Sequence, residues 1–291
     1  MSSIAEYPKR YCPICDHAGR GTFRPGPCGR PGARCPRCKS LERHRFLAVL
    51  VDTLRPALGD VDLLLDIAPH PVTTGVLGTL QPRRHLRVDL GLDNRLVDVL
   101  GDLTALPVAD GSADLVMCYH VLEHVRDDRQ AMREIARVLT PNGLGLLQVP
   151  IRFGTVTDED PDADEEERTV RFGQCDHVRF YGDDFEDRLE ECGLSFQRVT
   201  PIELVGEQMC DWLRLSPSEP VWIVRSGTHR SGVHLRSSFL PHLLDGVLDR
   251  MSEHYRERER ARSRVQRLLR RIETEVATPV RRSIGHRLLH R

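Results

Sequence analysis

Five short apolar runs restrict what this chain can fold into. They are Val61-Asp62-Leu63-Leu64-Leu65, Leu86-Arg87-Val88, Asp114-Leu115-Val116-Met117-Cys118, Gly143-Leu144-Gly145-Leu146-Leu147-Gln148-Val149 and Val221-Trp222-Ile223-Val224. They lack the regular polar alternation of a strand with one wet face, so they read as strands buried on both faces. Helical stretches lie between them. Asp127 to Leu139 puts Ala131, Ile135 and Val138 or Leu139 on one stripe, and Pro141-Asn142-Gly143 is expected to end it. Asp183 to Cys192 puts Phe185, Leu189 and Cys192 on one face, with Gly193 following as a helix-ending glycine. The alternation predicts an α/β fold over residues 41–226, a mostly parallel, Rossmann-like sheet with helices on both faces. Ligands of such sheets sit beyond the carboxyl ends of the strands.

A second element precedes this domain. Cys12-Pro-Ile-Cys15 and Cys35-Pro-Arg-Cys38 form C-x2-C-x19-C-x2-C within residues 1–40. Each C-x-x-C turn can offer two thiolates to one tetrahedral zinc, and the spacer fits that use. A closed four-thiolate site has no open position, so the zinc is expected to be structural. Cys28 falls off the pattern, either as a loop cysteine or as a substitute for one of the four, and a redox role for the pairs is the other reading. Ser40 is placed to N-cap a helix through Leu41–Leu47. The absence of an apolar leader in MSSIAEYPKR and of any apolar run of about 18 residues leads to the expectation of a cytoplasmic protein.

The strand ends carry acids. The run Leu64-Leu65-Asp66-Ile67-Ala68-Pro69-His70 closes the first strand of the domain, and Asp89 closes the next, 23 positions later. An acid there can accept both hydroxyls of a ribose. Asp102-Leu103 follows the third strand, and Cys118-Tyr119-His120-Val121-Leu122-Glu123-His124 follows the fourth.

In order and spacing these residues resemble class I S-adenosylmethionine-dependent methyltransferases, of the type-11 methyltransferase-domain group. The stretch LPVADGSADLVMCYHVLEHV, continued by AMREIARVLTPNGLGLLQVP, is the most specific part. CPRCKSLERHR, LDIAPH and FGQCDHVRFYGDDFEDRLEECGL are similar to a bacterial subgroup in which a zinc ribbon precedes that domain. The resemblance spans roughly residues 10–226 and implies the class I methyltransferase sheet. It implies Asp66 beside the amino-acid end of S-adenosylmethionine, Asp89 on the ribose, and Asp102 with the backbone of Leu103 on the adenine; Ala68 and His70, in the turn after Asp66, are counted with the cofactor contacts by position. It places Tyr119 and His120 at the site; His124, one helical turn further on, is a candidate cofactor or base contact by its position. Two features depart from the group. Ala68-Pro69-His70-Pro71 stands where a glycine-rich turn is usual, and Pro69 and Pro71 have no N–H to donate. The cradle for the methionine carboxylate must then be built differently, from His70 or Thr73. The 13 positions from Asp89 to Asp102 leave little room for a helix between those strands.

A base is needed only if the acceptor carries a tightly held proton, as a sugar hydroxyl does. His120 and His177 are the candidate catalytic residues. Alternation through Asp176-His177-Val178-Arg179-Phe180-Tyr181 puts His177, Arg179 and Tyr181 on one face, which suits a polar or anionic substrate; a surface ladder is the other reading. His124 is expected to begin a helix. The expected acceptor is a small molecule or glycan, methylated on oxygen, with RNA or protein methylation and a non-catalytic scaffold as the other readings. The run from Asp158 to Glu167 holds eight acids in ten residues, as a solvated mobile loop does, and its position also suits a lid.

The net charge of −1 conceals a division. Residues 227–291 carry 15 Arg against 7 Asp and Glu, a net of +8, which leaves −9 on the rest. In that tail Leu244, Leu248, Met251 and Tyr255 form an apolar stripe, Arg258 and Arg262 break it, and Val265, Leu269, Ile272 and Val276 resume it. A basic amphipathic helix of this kind packs on the domain or dimerises, lies peripherally on an anionic membrane surface, or binds nucleic acid.

Overall fold

The computed structural model describes residues 10–18, 23–91 and 94–227 of the 291. The readings of the tail beyond Gly227 and of the Cys28 side chain fall outside the described residues.

The chain opens with an antiparallel hairpin of β1 (Tyr11–Cys12) and β2 (His17–Ala18). There follow α1 (Glu42–Leu58), β3 (Leu63–Ile67), α2 (Pro71–Gly78), β4 (Arg84–Asp89), β5 (Val99–Leu100) and β6 (Ala113–Tyr119). After a 3-10 turn (Leu122–His124) come α3 (Asp128–Val138), β7 (Leu139–Gln148), β8 (Asp158–Glu159), α4 (Glu165–Phe172) and β9 (Arg179–Phe180). The fold closes with α5 (Phe185–Glu191), β10 (Leu194–Val199), α6 (Pro201–Leu213) and β11 (Val221–Ser226).

Seven strands form one sheet in the order β10-β11-β7-β6-β3-β4-β5. The five from β7 to β5 run parallel, and β11 and β10 are added antiparallel. All five residues of β3 are buried, as its Leu-rich sequence requires of a strand covered on both faces. Leu65 and Val116 of the sheet and Ile135 of α3 share one core with Phe185 of α5 and Trp222 of β11. Chain order reverses at β3, which pairs β4 on one side and β6 on the other, so a crevice opens at their carboxyl ends. No helix occurs among the described residues between β4 and β5, as the short spacing implies.

Three local expectations are corrected. Pro141-Asn142-Gly143 does not end a helix: α3 stops at Val138, and these residues lie inside β7. The pairing of β6 with β7 shifts register between Ala113 and Leu115, and a Cβ on Gly143 would lie 2.7 Å from the Ala113 carbonyl. Glycine there lets the strand pass close enough to absorb the irregularity. Ser40 does not cap α1, where Leu41 holds the N-cap position. Its hydroxyl instead lies 3.4 Å from Cys12 Sγ and 3.1 Å from Cys38 Sγ. The acidic run is solvated as expected, with most of its acids exposed, but it is not a plain loop, since it holds β8 and the start of α4. Asp164 caps α4, and Asp158, Asp160 and Glu167 pair with Arg171 at 2.5, 3.2 and 2.7 Å. The neutralising arginine lies outside the run itself.

The first turn of α1 is fixed by a buried cation. Arg45 is fully buried, and its guanidinium lies 4.8 Å over the Phe23 ring. It donates to the carbonyls of Ser40 and Leu213 at 2.8 Å each, and to that of Arg214. The last two are orphan acceptors at the C-terminus of α6, the negative end of the helix dipole. Tyr11 stacks on Trp212 of α6 at 4.9 Å beside this contact. Arg45→Met should strand three acceptors and cost roughly 2–5 kcal/mol, read as a lowered urea midpoint. Arg45→Lys should recover little, since an ammonium lacks the planar fork that reaches all three.

Candidate active site

Two cavities meet at the sheet's switch point. The larger, about 570 Å³, is lined by Ala68, Asp89, Asp102, Leu103, His120 and His124 among others. The smaller, about 200 Å³, is lined by Arg43, His44, Asp66, His70, Thr73 and Tyr119, and shares Ile67, Ala68 and His120 with the first. The fold thus brings together all eight residues expected near a cofactor, together with His120. Ala68 (φ +50°) and His120 (φ +54°) both hold left-handed backbone. Non-glycine residues seldom do so, and such strain collects where a strand end is turned to shape a site.

The three acids are held in different ways. Asp66, on β3 and buried, accepts from the Thr74 hydroxyl at 2.7 Å and faces His85 Nε2 at 3.3 Å. Asp89, at the end of β4, accepts from the Leu90 N–H at 2.8 Å and the Asn94 amide at 3.2 Å. Asn94 also donates to the Pro69 carbonyl at 2.8 Å, which ties the two strand-end loops together. Asp102 accepts from the Thr104 N–H and hydroxyl, both at 2.8 Å, which fixes the turn that buries Leu103 in the cavity wall.

The smaller cavity is rich in donors. Arg43, from the first turn of α1, makes no hydrogen bond or ion pair among the described residues that the structure records, and burial is the first cause of its lowered pKa. The Tyr119 hydroxyl is buried without a partner among the described residues. His44 Nδ1 accepts from the Leu41 N–H at 3.3 Å, and His70 Nδ1 from the Val72 N–H at 3.2 Å. Each neutral ring therefore carries its proton on Nε2. The rings lie 4.9 Å apart. Burial first, and then Arg43, pushes the His44 pKa down to about 3 and lowers that of His70. Beside the Asp66 carboxylate, which Thr74 and His85 already engage, the cavity thus offers one guanidinium, one phenol and two imidazole N–H groups, a donor set complementary to a second carboxylate. Arg43 and His44 were not among the sequence candidates. The available signal was Arg43-His44-Arg45, three basic residues opening an otherwise apolar helix directly after the second cysteine pair.

His120 lies between the cavities. Its Nδ1 is 3.1 Å from Oε1 of Glu123, which is fully buried, and its Nε2 lies 4.0 Å from Glu219 Oε1 with no hydrogen bond. The sequence reading missed Glu123, whose role depends on the 3-10 turn that folds it back under His120.

The proposed ladder of His177, Arg179 and Tyr181 is corrected. The three do share a face, but it points inward, and all are buried. Arg179 donates to the carbonyls of Leu122 at 2.8 Å, Val125, and Arg126 at 2.9 Å, and pairs with Glu159 at 3.1 Å. The Tyr181 hydroxyl donates to Asp128 at 2.9 Å. These two brace the loop after β6 and line neither of the two cavities described, though Arg179 does line a third, of about 490 Å³, beside Arg126, Asp128 and Glu159. His177 stacks edge-on against His124 at 4.7 Å. His124 ends the 3-10 turn and does not begin a helix.

The four cysteines of the doubled motif converge. One sulfur from each lies within 4.8 Å of the others, with Cys12–Cys38 at 3.6 Å and Cys15–Cys35 at 3.7 Å. A tetrahedral zinc with sulfurs at about 2.3 Å needs them about 3.8 Å apart, so the donor set fits. The Ser40 hydroxyl is in reach to donate to a thiolate.

His44 gives a pH test. Its folded-state pKa lies below the ordinary 6.5, so the unfolded chain binds the extra proton between pH 6.5 and about 3. Its contribution to stability is intact above pH 6.5 and lost as pH falls through that window, at up to about 1.4 kcal/mol per pH unit. His44→Asn, which keeps an acceptor for Leu41 N–H, should flatten the pH dependence of the urea midpoint there.

Residues 79–147 match the family model described as a methyltransferase domain. A probable S-adenosylmethionine-dependent methyltransferase of Mycolicibacterium smegmatis is 42% identical over 53 residues, 18% of this chain and 21% of its own. Methyltransferase GfsG of Streptomyces halstedii is 32% identical over 114 residues, covering 38% and 39%. The uncharacterised methyltransferase YcgJ of Bacillus subtilis is 32% identical over 129 residues, covering 44% and 45%. The chain thus spans less than half the length of these relatives. The crystal structure of the YcgJ protein aligns with 54% of this chain and 75% of its own at 21% identity, with a TM-score of 0.42. No helix of the described residues is long and apolar enough to cross a membrane. Residues 79–147 are thus similar to a methyltransferase domain, and relatives that align with part of the chain are described as S-adenosylmethionine-dependent methyltransferases.

Proposed function

We propose that this protein transfers a methyl group from S-adenosylmethionine to a hydroxyl of a small molecule or glycan. The observation that carries the reading is the paired cavity, with two strand-end acids on one side of His120 and an unpaired guanidinium on the other. The cofactor supplies a methyl group on a sulfonium. Asp89 would accept from the ribose hydroxyls, and Asp102 with the Leu103 backbone would flank the adenine. Arg43, the Tyr119 hydroxyl and His70 Nε2–H would hold the methionine carboxylate. They would replace the backbone donors that Pro69 and Pro71 lack. His120 supports the hydroxyl acceptor: Glu123 anchors Nδ1–H, and Nε2 at the junction can take a proton. The cysteine cluster supports a structural zinc in the N-terminal segment, which is too small to build a core of its own.

Calorimetric titration with S-adenosylhomocysteine should give micromolar or tighter binding, and no binding would overturn the enzyme reading. Arg43→Ala should weaken that binding by roughly 10- to 150-fold, the worth of a charged hydrogen bond, and leave 5′-methylthioadenosine, which has no carboxylate, nearly unaffected. With a labelled methyl donor, label should enter sugar or small-molecule hydroxyls, and His120→Ala should lower the rate by about 10²–10⁴-fold while S-adenosylhomocysteine still binds. Label appearing in RNA or protein alone would favour a macromolecular acceptor.

A further inference from the structure

We propose that Glu123, His124 and His177 form a second metal site, distinct from the four-cysteine cluster, that takes a first-row divalent ion of the zinc type. One ligand atom from each of the three lies within 4.8 Å of the other two. They come from two places in the chain, the turn after β6 and the segment before β9, and the Val178 N–H clamps these together by donating to the Glu123 carbonyl at 2.9 Å.

The hydrogen-bond inventory leaves this cluster short of positive charge. His177 Nδ1 lies 3.1 Å from the Phe172 carbonyl, which can only accept, so Nδ1 carries the proton and Nε2 presents a lone pair. His124 Nδ1 lies 3.2 Å from the Asp176 carbonyl and 3.3 Å from the Asp176 carboxylate, so its Nε2 is also a lone pair when the ring is neutral. Glu123 uses Oε1 for His120, and its Oε2 is buried with no partner among the described residues. His177 Nε2 is likewise buried and unpartnered. Both residues are more than nine-tenths buried. Two buried acceptors, Glu123 Oε2 and His177 Nε2, thus lie in this cluster with no donor recorded among the described residues, and a buried acceptor without a donor costs about 1–3 kcal/mol. A divalent cation would satisfy both, with His124 in reach as a third ligand. An imidazole that binds metal commonly donates its other N–H to a carbonyl or carboxylate, as both histidines do here. Two imidazoles and one carboxylate suit zinc or a neighbouring transition metal better than magnesium or calcium, and leave a coordination position open. His124 lines the larger cavity, and Glu123 joins the site to His120, so an ion here would bear on the cavity wall.

The test uses the full chain, stripped of metal by chelator under reducing conditions and titrated with Zn²⁺ and, separately, Co²⁺. Two equivalents of Zn²⁺ are expected. With Co²⁺, one should give intense sulfur charge-transfer absorption and the other only weak visible bands from nitrogen and oxygen ligands. Glu123→Gln and His124→Ala should each weaken the second equivalent at least 100-fold and leave the sulfur absorption unchanged. His124 is one-third exposed, so its truncation should be tolerated by the fold. A single equivalent in the unaltered chain would overturn the site. So would a second equivalent that survives both substitutions.

Discussion

Arg45 brings three carbonyls from distant parts of the chain around one guanidinium. Ser40 comes from the cysteine segment, Leu213 and Arg214 from the end of α6, and Phe23 closes the other side of the cation. This contact sets where the first turn of α1 lies, and that turn carries Arg43 and His44 into the smaller cavity. The N-terminal segment is therefore part of the site's scaffold. Its sulfur cluster holds Ser40, Ser40 holds Arg45, and the two residues before Arg45 supply donors to the cavity.

The site is organised by proton inventory as much as by shape. On the smaller-cavity side, backbone N–H groups fill the Nδ1 positions of His44 and His70, so both neutral rings present N–H groups beside an unpaired arginine. Burial and that arginine keep them neutral. Behind the larger cavity the reverse holds: carbonyls fill the Nδ1 positions of His124 and His177, and lone pairs converge on a buried carboxylate. One neighbourhood suits an anion and the other a cation. His120 stands between them, with Glu123 on one side and Glu219 on the other.

Much of the frame was legible because it rests on local patterns. Leu-rich runs without alternation gave the buried strands, their terminal acids gave Asp66, Asp89 and Asp102, and the short interval after Asp89 excluded a helix. The failures share a cause. Alternation set His177, Arg179 and Tyr181 on one face and the apolar Val178 and Phe180 on the other; the polar set is nevertheless buried, because its partners, the carbonyls after β6 and Asp128, lie far away in the chain. The acidic run is solvated, as expected, but it is no plain loop: it holds β8 and the start of α4, and its partner Arg171 and the partners of Glu159 lie outside it. Ser40 was misread by one position, since capping depends on where the preceding sulfur cluster directs the chain.

The sequence by itself determined the α/β class, the order of the acids along the strand ends, and the sulfur donors, because strand burial and ligand spacing are properties of neighbours in the chain. Only the tertiary structure decided which polar groups face a cavity and which are spent on the protein's own backbone. Arg43 and Arg179 illustrate the difference. Both are arginines in polar stretches. Arg179 meets three carbonyls and Glu159, while Arg43 enters the smaller cavity with no hydrogen bond or ion pair recorded for it among the described residues. That outcome depends on groups more than 50 positions away for Arg179, and for Arg43 on the packing of α1 against strand ends far along the chain, which local pattern does not encode.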